Sequence, residues 1–202
     1  MVRNKSFGDD YRLTLIDKLG VGLSYLRIMK ELRGIPRPFR CLDIGCGYHA
    51  SLLTKLMPYL SQGVGVDVSV RPDLRTLKPL SFIERPAEEA LAELKGRFFD
   101  AIFLISVLEH LEDPERVLRA CHELLGEGGL LVINVPTWAG KSFLEFSAFR
   151  LGLSPAVEMD DHKMYYDKKD LWPILVKAGF KPSRIRLKYY KLWLNLFAVI
   201  SK

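Results

Sequence analysis

Cysteine is scarce in this chain, with three residues in 202, at positions 41, 46 and 121. An odd count, with no Cys-x-x-Cys and no close histidine pair, gives neither a disulfide framework nor the ligand spacing of a metal centre, so no metal is expected. Cys41 and Cys46 fall in predicted strand or loop and Cys121 on the apolar side of a predicted helix; each reads as a small reduced core residue of a cytoplasmic protein. Long apolar runs are missing as well. The best candidate, Leu192 to Ile200, is interrupted by Asn195 and falls short of the ~20 residues that a membrane-spanning helix needs. The first ten residues lack the apolar stretch of a secretory signal, and no repeats or low-complexity tracts occur. Thirty Lys and Arg against 24 Asp and Glu give a net charge of +6, which attracts anionic partners at long range and selects none. The basic residues are scattered, with mild clusters at Arg27 to Arg40 and Lys181 to Lys191. No aromatic-basic recognition module accompanies them, which argues against a nucleic-acid partner. Peripheral contact with a membrane stays open, and the oligomeric state is unknown.

With 49% of its residues apolar, the chain can build one substantial core but not two. An apolar stripe at 15, 16, 19, 23 and 26 predicts a helix over Leu13 to Leu32, with Gly20 and Gly22 as a point where it could break. That N-terminal helical layer, residues 1–37, either packs on the main sheet, covers a ligand, or offers a basic surface to an acidic membrane. Gly34-Ile-Pro-Arg-Pro38 ends it. The main domain is expected over 38–202. Strands are predicted near 40–44, 63–67, 80–84, 99–104 and 129–135, alternating with helices near 50–58, 71–77, 87–95 and 113–125. Such alternation needs crossover connections and hence an α/β fold with a mostly parallel sheet. The helix near 113 is the most fully specified: Asp113 suits its N-cap, Pro114 its first position, and Gly126 its C-terminal end. Residues 137–167 break the alternation and read as an insertion that caps a substrate pocket. A helix over 168–178 and strands over Ser183 to Lys191 and Leu192 to Ile200 complete the chain.

The richest segment is Cys41-Leu-Asp-Ile-Gly-Cys-Gly-Tyr-His49, an apolar strand that runs into an acidic residue and two glycines before a helix. Glycines there let the chain turn sharply and let a ligand lie against its peptide groups. The loop stops short of the dinucleotide fingerprint, since His49 stands where a third glycine would be. A second strand, Gly63-Val-Gly-Val-Asp-Val68, ends at Asp67, about twenty residues on, where an acidic side chain can accept ribose hydroxyls. Strand, glycine turn, helix, strand and acid together make an adenosine-binding unit. The competing reading of Asp67 is a cap on the next helix.

Two further segments, Phe98 to Pro114 and Leu125-Gly-Glu-Gly-Gly-Leu-Leu-Val-Ile-Asn-Val-Pro136, join Leu42-Asp-Ile-Gly-Cys-Gly47 and Gly65-Val-Asp-Val-Ser69 in an ordered set over roughly 38–137. This set resembles the motifs of class I S-adenosylmethionine-dependent methyltransferases. Asp161 to Trp172 and Lys177-Ala-Gly-Phe180 look like the C-terminal part of the branch that methylates small molecules. The resemblance implies a Rossmann-like three-layer sandwich whose seven-stranded, mostly parallel sheet ends in an antiparallel C-terminal hairpin. It further implies S-adenosyl-L-methionine as cofactor and a small-molecule methyl acceptor. By the same resemblance, Asp43 orients the glycine loop and approaches the methionine ammonium; Gly45, Cys46 and Gly47 offer backbone; Asp67 binds the ribose and Val68 lies against the adenine. Ala87 and Glu88 are the candidates for the adenine amino group, although Pro86 occupies the position where the family often has its acid. Ser106 and Val107 flank the methionine portion.

Methyl transfer from a sulfonium is an in-line displacement, so alignment is the main demand and no covalent nucleophile is required. A hydroxyl acceptor needs a base, and an imidazole with an ordinary pKa near 6.5 suits that task. His110 is the first candidate and His162 the second, with Glu109, Asp160, Asp161 and Tyr165 as other choices; His110 can equally brace the loop before Asp113. His49 reads as a loop-shaping residue and His122 as a surface one. Trp138, Phe143, Phe146, Phe149 and Tyr165 are candidates to line the acceptor pocket, with core packing as the competing role. A nicotinamide-dependent oxidoreductase and a non-catalytic cofactor-binding protein of the same fold are the alternatives. The missing third glycine and the lack of a Tyr-x-x-x-Lys hydride-site motif count against the first.

Overall fold

A computed structural model describes residues 15–141 and 163–202, with side chains from residue 22 onward. Its centre is a seven-stranded sheet in the order β3-β2-β1-β4-β5-β7-β6. The strands are β1 (Phe39–Ile44), β2 (Leu60–Asp67), β3 (Leu80–Glu84), β4 (Phe99–Ile105), β5 (Leu125–Pro136), β6 (Ile185–Tyr190) and β7 (Asn195–Ser201). The first five pair parallel, while β7 runs antiparallel to both β5 and β6. Strand order turns about β1 and β4, whose carboxyl ends therefore open a crevice where α/β sheets hold ligands. The expected α/β sheet and its antiparallel C-terminal hairpin are both present.

Burial on both faces explains why β1 and β4 read as nearly continuous apolar runs. On one face Leu42, Ile44, Ile102 and Leu104 join Leu91, Val117, Leu118, Leu171 and Leu175 of α3 (Ala87–Glu93), α4 (Pro114–Leu124) and α5 (Lys168–Lys177). The opposite face packs Cys41, Ala101, Phe103 and Phe197 against Ile28 of α1 (Leu15–Glu31), Leu32 of the 3₁₀ turn that follows it, and Leu53 and Leu56 of α2 (Ser51–Leu56). The N-terminal helix thus packs on the sheet, and it is unbroken at Gly20 and Gly22.

Local signals govern the helix ends. Asp113 caps α4 by accepting the Arg116 N–H at 2.9 Å, with Pro114 at the first position. At α5 the Asp167 side chain accepts from the third-residue backbone, and Asp170 answers by accepting the Asp167 N–H at 2.9 Å. Four expectations need correction. Residues 71–77 form only a short 3₁₀ turn, Pro72–Thr76, because Pro72 and the close return to β3 leave no room for a longer helix. The helix expected over 50–58 is α-helical only to Leu56 and tightens into a 3₁₀ turn at Met57–Tyr59 beside Pro58. The last strand begins at Asn195, since Lys191, Leu192 and Trp193 take left-handed backbone. The left-handed glycine after α4 is Gly128, φ +74°, in an irregularity of β5 rather than Gly126.

No described helix is long and apolar enough to cross a membrane.

Candidate functional site

The glycine loop sits at the carboxyl end of β1. Gly45 and Gly47 have φ of +71° and +74°, and a Cβ on Gly45 would lie 2.2 Å from Val107 Cγ2, so only glycine fits beneath that side chain. The loop is fastened to β2: the Gly45 and Cys46 N–H groups donate to the Val66 carbonyl at 2.7 and 3.1 Å. Asp67 completes the fastening. One of its oxygens accepts the Gly47 N–H at 2.7 Å and the other the Val68 N–H at 2.8 Å, which corrects the notion of a helix cap and makes Asp67 a brace of the loop.

Asp43 is only 2% exposed at the end of β1. Burial, and secondarily the charge of Asp67, push its carboxyl up to about 8. Cys46 lies among the same charges; burial raises its thiol far above the ordinary range, and Asp43, Asp67 and Glu84 add to the shift. Glu84, at the end of β3 beside Asp67, escaped the sequence reading. It accepts the Val70 N–H at 3.3 Å and pairs with Arg75 at 2.5 Å, closing the loop that follows Val68. Its signal was legible only as position, since it is the last residue of a third parallel strand, level with Asp67 at the end of the second. His49 shapes the loop as expected: its Nδ1 is 3.4 Å from Arg71, which holds Asp73 through two contacts of 2.6 and 2.8 Å.

Pro86 caps α3 without a side-chain bond, leaving Ala87 and Glu88 half-buried in its first turn. Beyond β4, Ser106 has φ of +57° and donates its N–H to the Asn134 carbonyl at 2.8 Å. Backbone held in the left-handed region by a non-glycine residue is a mark of functional positions. Val107 then covers Gly45, and the turn Leu108–His110 follows, with the His110 N–H donating to the Val107 carbonyl at 2.9 Å.

The second half of the site assembles around that turn. Lys163 and Met164 donate their N–H groups to the Glu109 carbonyl at 2.8 and 3.3 Å, and Tyr166 donates its backbone N–H to Pro136. Tyr165 is buried and packs against Trp138, with ring centroids 5.6 Å apart and planes tilted by 45°. The fold therefore brings His110, Trp138 and Tyr165 to the same end as Asp43, Gly45 and Asp67. Phe143, Phe146, Phe149, Asp160, Asp161 and His162 lie outside the described residues. His122 is half-buried with its ring edge against Phe180 at 4.9 Å rather than on the surface, and burial lowers its pKa. Cys41, Cys46 and Cys121 are free and buried. No cluster of His, Cys, Asp or Glu among the described residues has the arrangement of a metal centre.

Thr137 and Asn134 were also missed. Thr137 is fully buried, donates its hydroxyl to the Trp193 carbonyl at 2.6 Å and accepts the Gly140 N–H at 2.9 Å. Asn134, 2% exposed on β5, keeps a buried Oδ1 without a hydrogen-bond partner. Neither stands out in a sequence, because one hydroxyl or amide in an apolar strand has no period.

A glycine loop braced by an acid, at the point where strand order turns in a parallel sheet, defines a nucleoside-binding α/β protein. The family model described as "Methyltransferase domain" matches residues 21–184, and the chain belongs to that family. Over 196 residues it is 32% identical to a ubiquinone biosynthesis O-methyltransferase from Xanthomonas oryzae pv. oryzae (strain PXO99A), covering 90% of this chain and 77% of the relative. The corresponding protein of Ruegeria pomeroyi is 33% identical over 164 residues, 74% of this chain; the chain spans 64% of that relative's length. Among solved structures, a magnesium protoporphyrin IX methyltransferase from Synechocystis PCC 6803 with bound SAH superposes with a TM-score of 0.65 at 17% identity. That overlap takes in 96% of this chain and 90% of the other, and at such identity it is a likeness of fold.

Proposed function

We propose that this protein is an S-adenosylmethionine-dependent methyltransferase that acts on a small-molecule acceptor. The observation that carries the reading is the buried Asp43 beneath the glycine loop, with Asp67 and Glu84 beside it at the next two strand ends. Such an acidic cradle suits a nucleoside that carries cationic groups, whereas a nicotinamide dinucleotide would set its diphosphate against these carboxylates. When bound, the cofactor supplies an electrophilic methyl group on a sulfonium with a neutral leaving group. The chain's residues hold and align. Asp43 attracts the ammonium; the backbone of Gly45, Cys46 and Gly47 shapes the cradle; Asp67 accepts ribose hydroxyls while bracing Gly47. Val68, Ala87 and Glu88 border the adenine, and Ser106 and Val107 the methionine portion.

The acceptor side belongs to Trp138, Tyr165 and the insertion at about 137–167, with Phe143, Phe146 and Phe149 as its aromatic contribution. The named activity of the ubiquinone biosynthesis O-methyltransferase relatives supports an oxygen acceptor, here a hydroxyl. His110 is then the group that takes the hydroxyl proton, with His162 as the second candidate. Three buried free thiols are in keeping with a reducing, cytoplasmic setting, and peripheral contact with a membrane is part of the reading.

Calorimetric titration with S-adenosylhomocysteine, with NAD as control, tests the cofactor. Saturable binding of the first alone, weakened by Asp67→Ala, is expected; preference for NAD would sink the reading. With a hydroxyl-bearing acceptor, His110→Gln should lower kcat by about 10²- to 10⁴-fold and leave the acceptor KM nearly unchanged. An unchanged kcat would return His110 to a bracing role.

A further inference from the structure

On the α1 side of the sheet two buried polar atoms, Nε of Arg27 and Oδ1 of Asn134, have no hydrogen-bond partner among the described residues. One is a donor and the other an acceptor, and both adjoin Phe197. Asn134 stands opposite Phe197 in the β5–β7 ladder, so the two side chains share a face, and Phe197 belongs to the apolar cluster beneath α1. Arg27 lies over the same ring, its Cζ 5.4 Å from the centroid, and Tyr190 meets the ring edge-on at 5.9 Å. A buried polar group without a partner is costly, so two of opposite kind beside one ring mark a place where something polar belongs.

The turn between β6 and β7 adds a cation. Leu192 and Trp193 face outward, 87% and 65% exposed, whereas Lys191 folds back until its Nζ is 5.8 Å from the centre of the Tyr190 ring. Lys191 is half-buried; burial lowers its pKa, and no described carboxylate offsets the shift. Arg27 is only partly compensated, because Glu31 divides its two oxygens between Arg27 at 3.2 Å and Arg186 at 3.0 Å. Positive charge is therefore in excess between α1 and the hairpin. The place adjoins the proposed methyl-transfer site: Asn134 pairs with Ile105 at the end of β4, and its carbonyl accepts the Ser106 N–H. Asp43, Asp67 and Glu84 lie across β4 from it, on β1, β2 and β3, so the two signs of charge occupy opposite halves of the sheet's ligand end.

We infer that the methyl acceptor is a hydroxy acid, its carboxylate held by the Arg27 Nε–H and the Lys191 ammonium and a hydroxyl donating to Asn134 Oδ1. This names the acceptor class of the proposed function and rests on that reading. A ligand with an anionic acceptor and a donor meets both orphaned atoms at once, and it gives the desolvated Lys191 charge a partner. Two cationic donors suit the two oxygens of a carboxylate, whereas a phosphate would bring a further oxygen into half-buried surroundings without a donor of its own. A neutral acceptor would leave the excess positive charge uncompensated.

Calorimetry with and without S-adenosylhomocysteine tests it, using hydroxybenzoates of the three substitution patterns and a medium-chain β-hydroxy fatty acid. Each is compared with its primary amide, which keeps the size and the hydroxyl and removes the charge. At least one acid should bind about tenfold or more tightly than its amide. R27M/K191M should reduce that preference to under about threefold and leave the affinity for the amide unchanged, while N134L should weaken acid and amide alike by about threefold to tenfold. Equal affinity of acid and amide across the panel, or binding of neither, overturns the proposal, as does a preference that survives R27M/K191M. If Arg27 and Asn134 serve only each other or a trapped water, R27M and N134L will lower the thermal midpoint with the acid preference intact, which also overturns it. S-adenosylhomocysteine should bind every variant as it binds the parent, which certifies the fold. A parent that fails to bind it sinks the methyltransferase reading, whereas normal binding without any acid preference sinks the hydroxy acid alone.

Discussion

The ligand end of the sheet is built in two ways. Around β1, β2 and β3 it is fastened within itself: Gly45 and Cys46 donate to Val66, Gly47 to Asp67, and Val70 to Glu84, over short stretches of regular strand and loop. Around β4, β5 and the hairpin it is assembled from segments remote in the chain, with Thr137 tied to Trp193, Lys163 to Glu109, and Tyr166 to Pro136. The first half holds buried acid, the second aromatic rings and basic charge. On the proposed assignment of the first half to the cofactor and the second to the acceptor, the difference has a reason: a cofactor half must present fixed donors and charges, and an acceptor half must be open to change in loops carried on a rigid sheet.

Experiments can break this contrast, and the largest effect should come from the most crowded point. Gly45→Val places a branched side chain against Val107 at φ +71° and should cost about 3–5 kcal/mol in urea unfolding, with Val107→Ala restoring part of it. A cost below ~1 kcal/mol would mean the loop is looser than its bonding implies.

Asp43→Asn comes next. It should weaken S-adenosylhomocysteine binding about 10- to 100-fold at pH 8, through loss of a charge-assisted contact. The sign with pH follows from the buried carboxyl. With its pKa raised to about 8, the empty protein keeps Asp43 protonated at pH 6 to 7, and a cationic ligand that favours the carboxylate expels the proton. Affinity should therefore rise from pH 6 to 8, by at most about tenfold per pH unit, and then level, with the slope absent in Asp43→Asn. The unliganded fold should move the other way. A carboxyl that holds its proton more tightly folded than unfolded favours the fold below pH 4, and this advantage declines as pH rises towards 8. Asp43→Asn should thus raise the thermal midpoint of the empty protein at pH 8. Failure of both shifts would remove Asp43 from the cofactor site.

In the acceptor half, Thr137→Val should cost about 1–2 kcal/mol and speed amide exchange at Leu194 while leaving cofactor affinity unchanged. A loss of cofactor affinity would show that the two halves are one cooperative unit. The smallest effect is expected at Lys163, whose exposed pair with Glu112 spans 3.1 Å. Lys163→Met should leave the thermal midpoint unmoved, because exposed pairs of this kind contribute little. A marked drop would mean that the chain beyond the insertion docks by charge rather than by its backbone bonds to Glu109.

The cofactor half was legible because its signals are local. Asp43, Gly45, Gly47 and Asp67 follow one another at the spacing of a single strand-turn-helix-strand unit, and Asp113-Pro114 marks a helix start by chemistry confined to one turn. Even there Asp67 held a surprise, since its bond to Gly47 depends on how β1 and β2 register. The acceptor half was much less legible. Tyr165 reads in the sequence as one more aromatic of the insertion, but its packing on Trp138 comes from the return of the chain to Glu109. Thr137 looked like an ordinary strand-end residue, and the left-handed turn at Lys191 to Trp193 lies in a stretch whose apolar composition reads as strand.

The sequence by itself determined the alternation of strands and helices, the glycine loop with its acids, and the caps that start α4 and α5, because each depends on residues within a turn or a strand of one another. Only the tertiary structure decided how high the Asp43 carboxyl rises, which partners Asp67, Thr137 and Glu109 hold, and that Leu192 and Trp193 face outward. These depend on burial and on contacts between residues tens of positions apart, and no local pattern encodes either one.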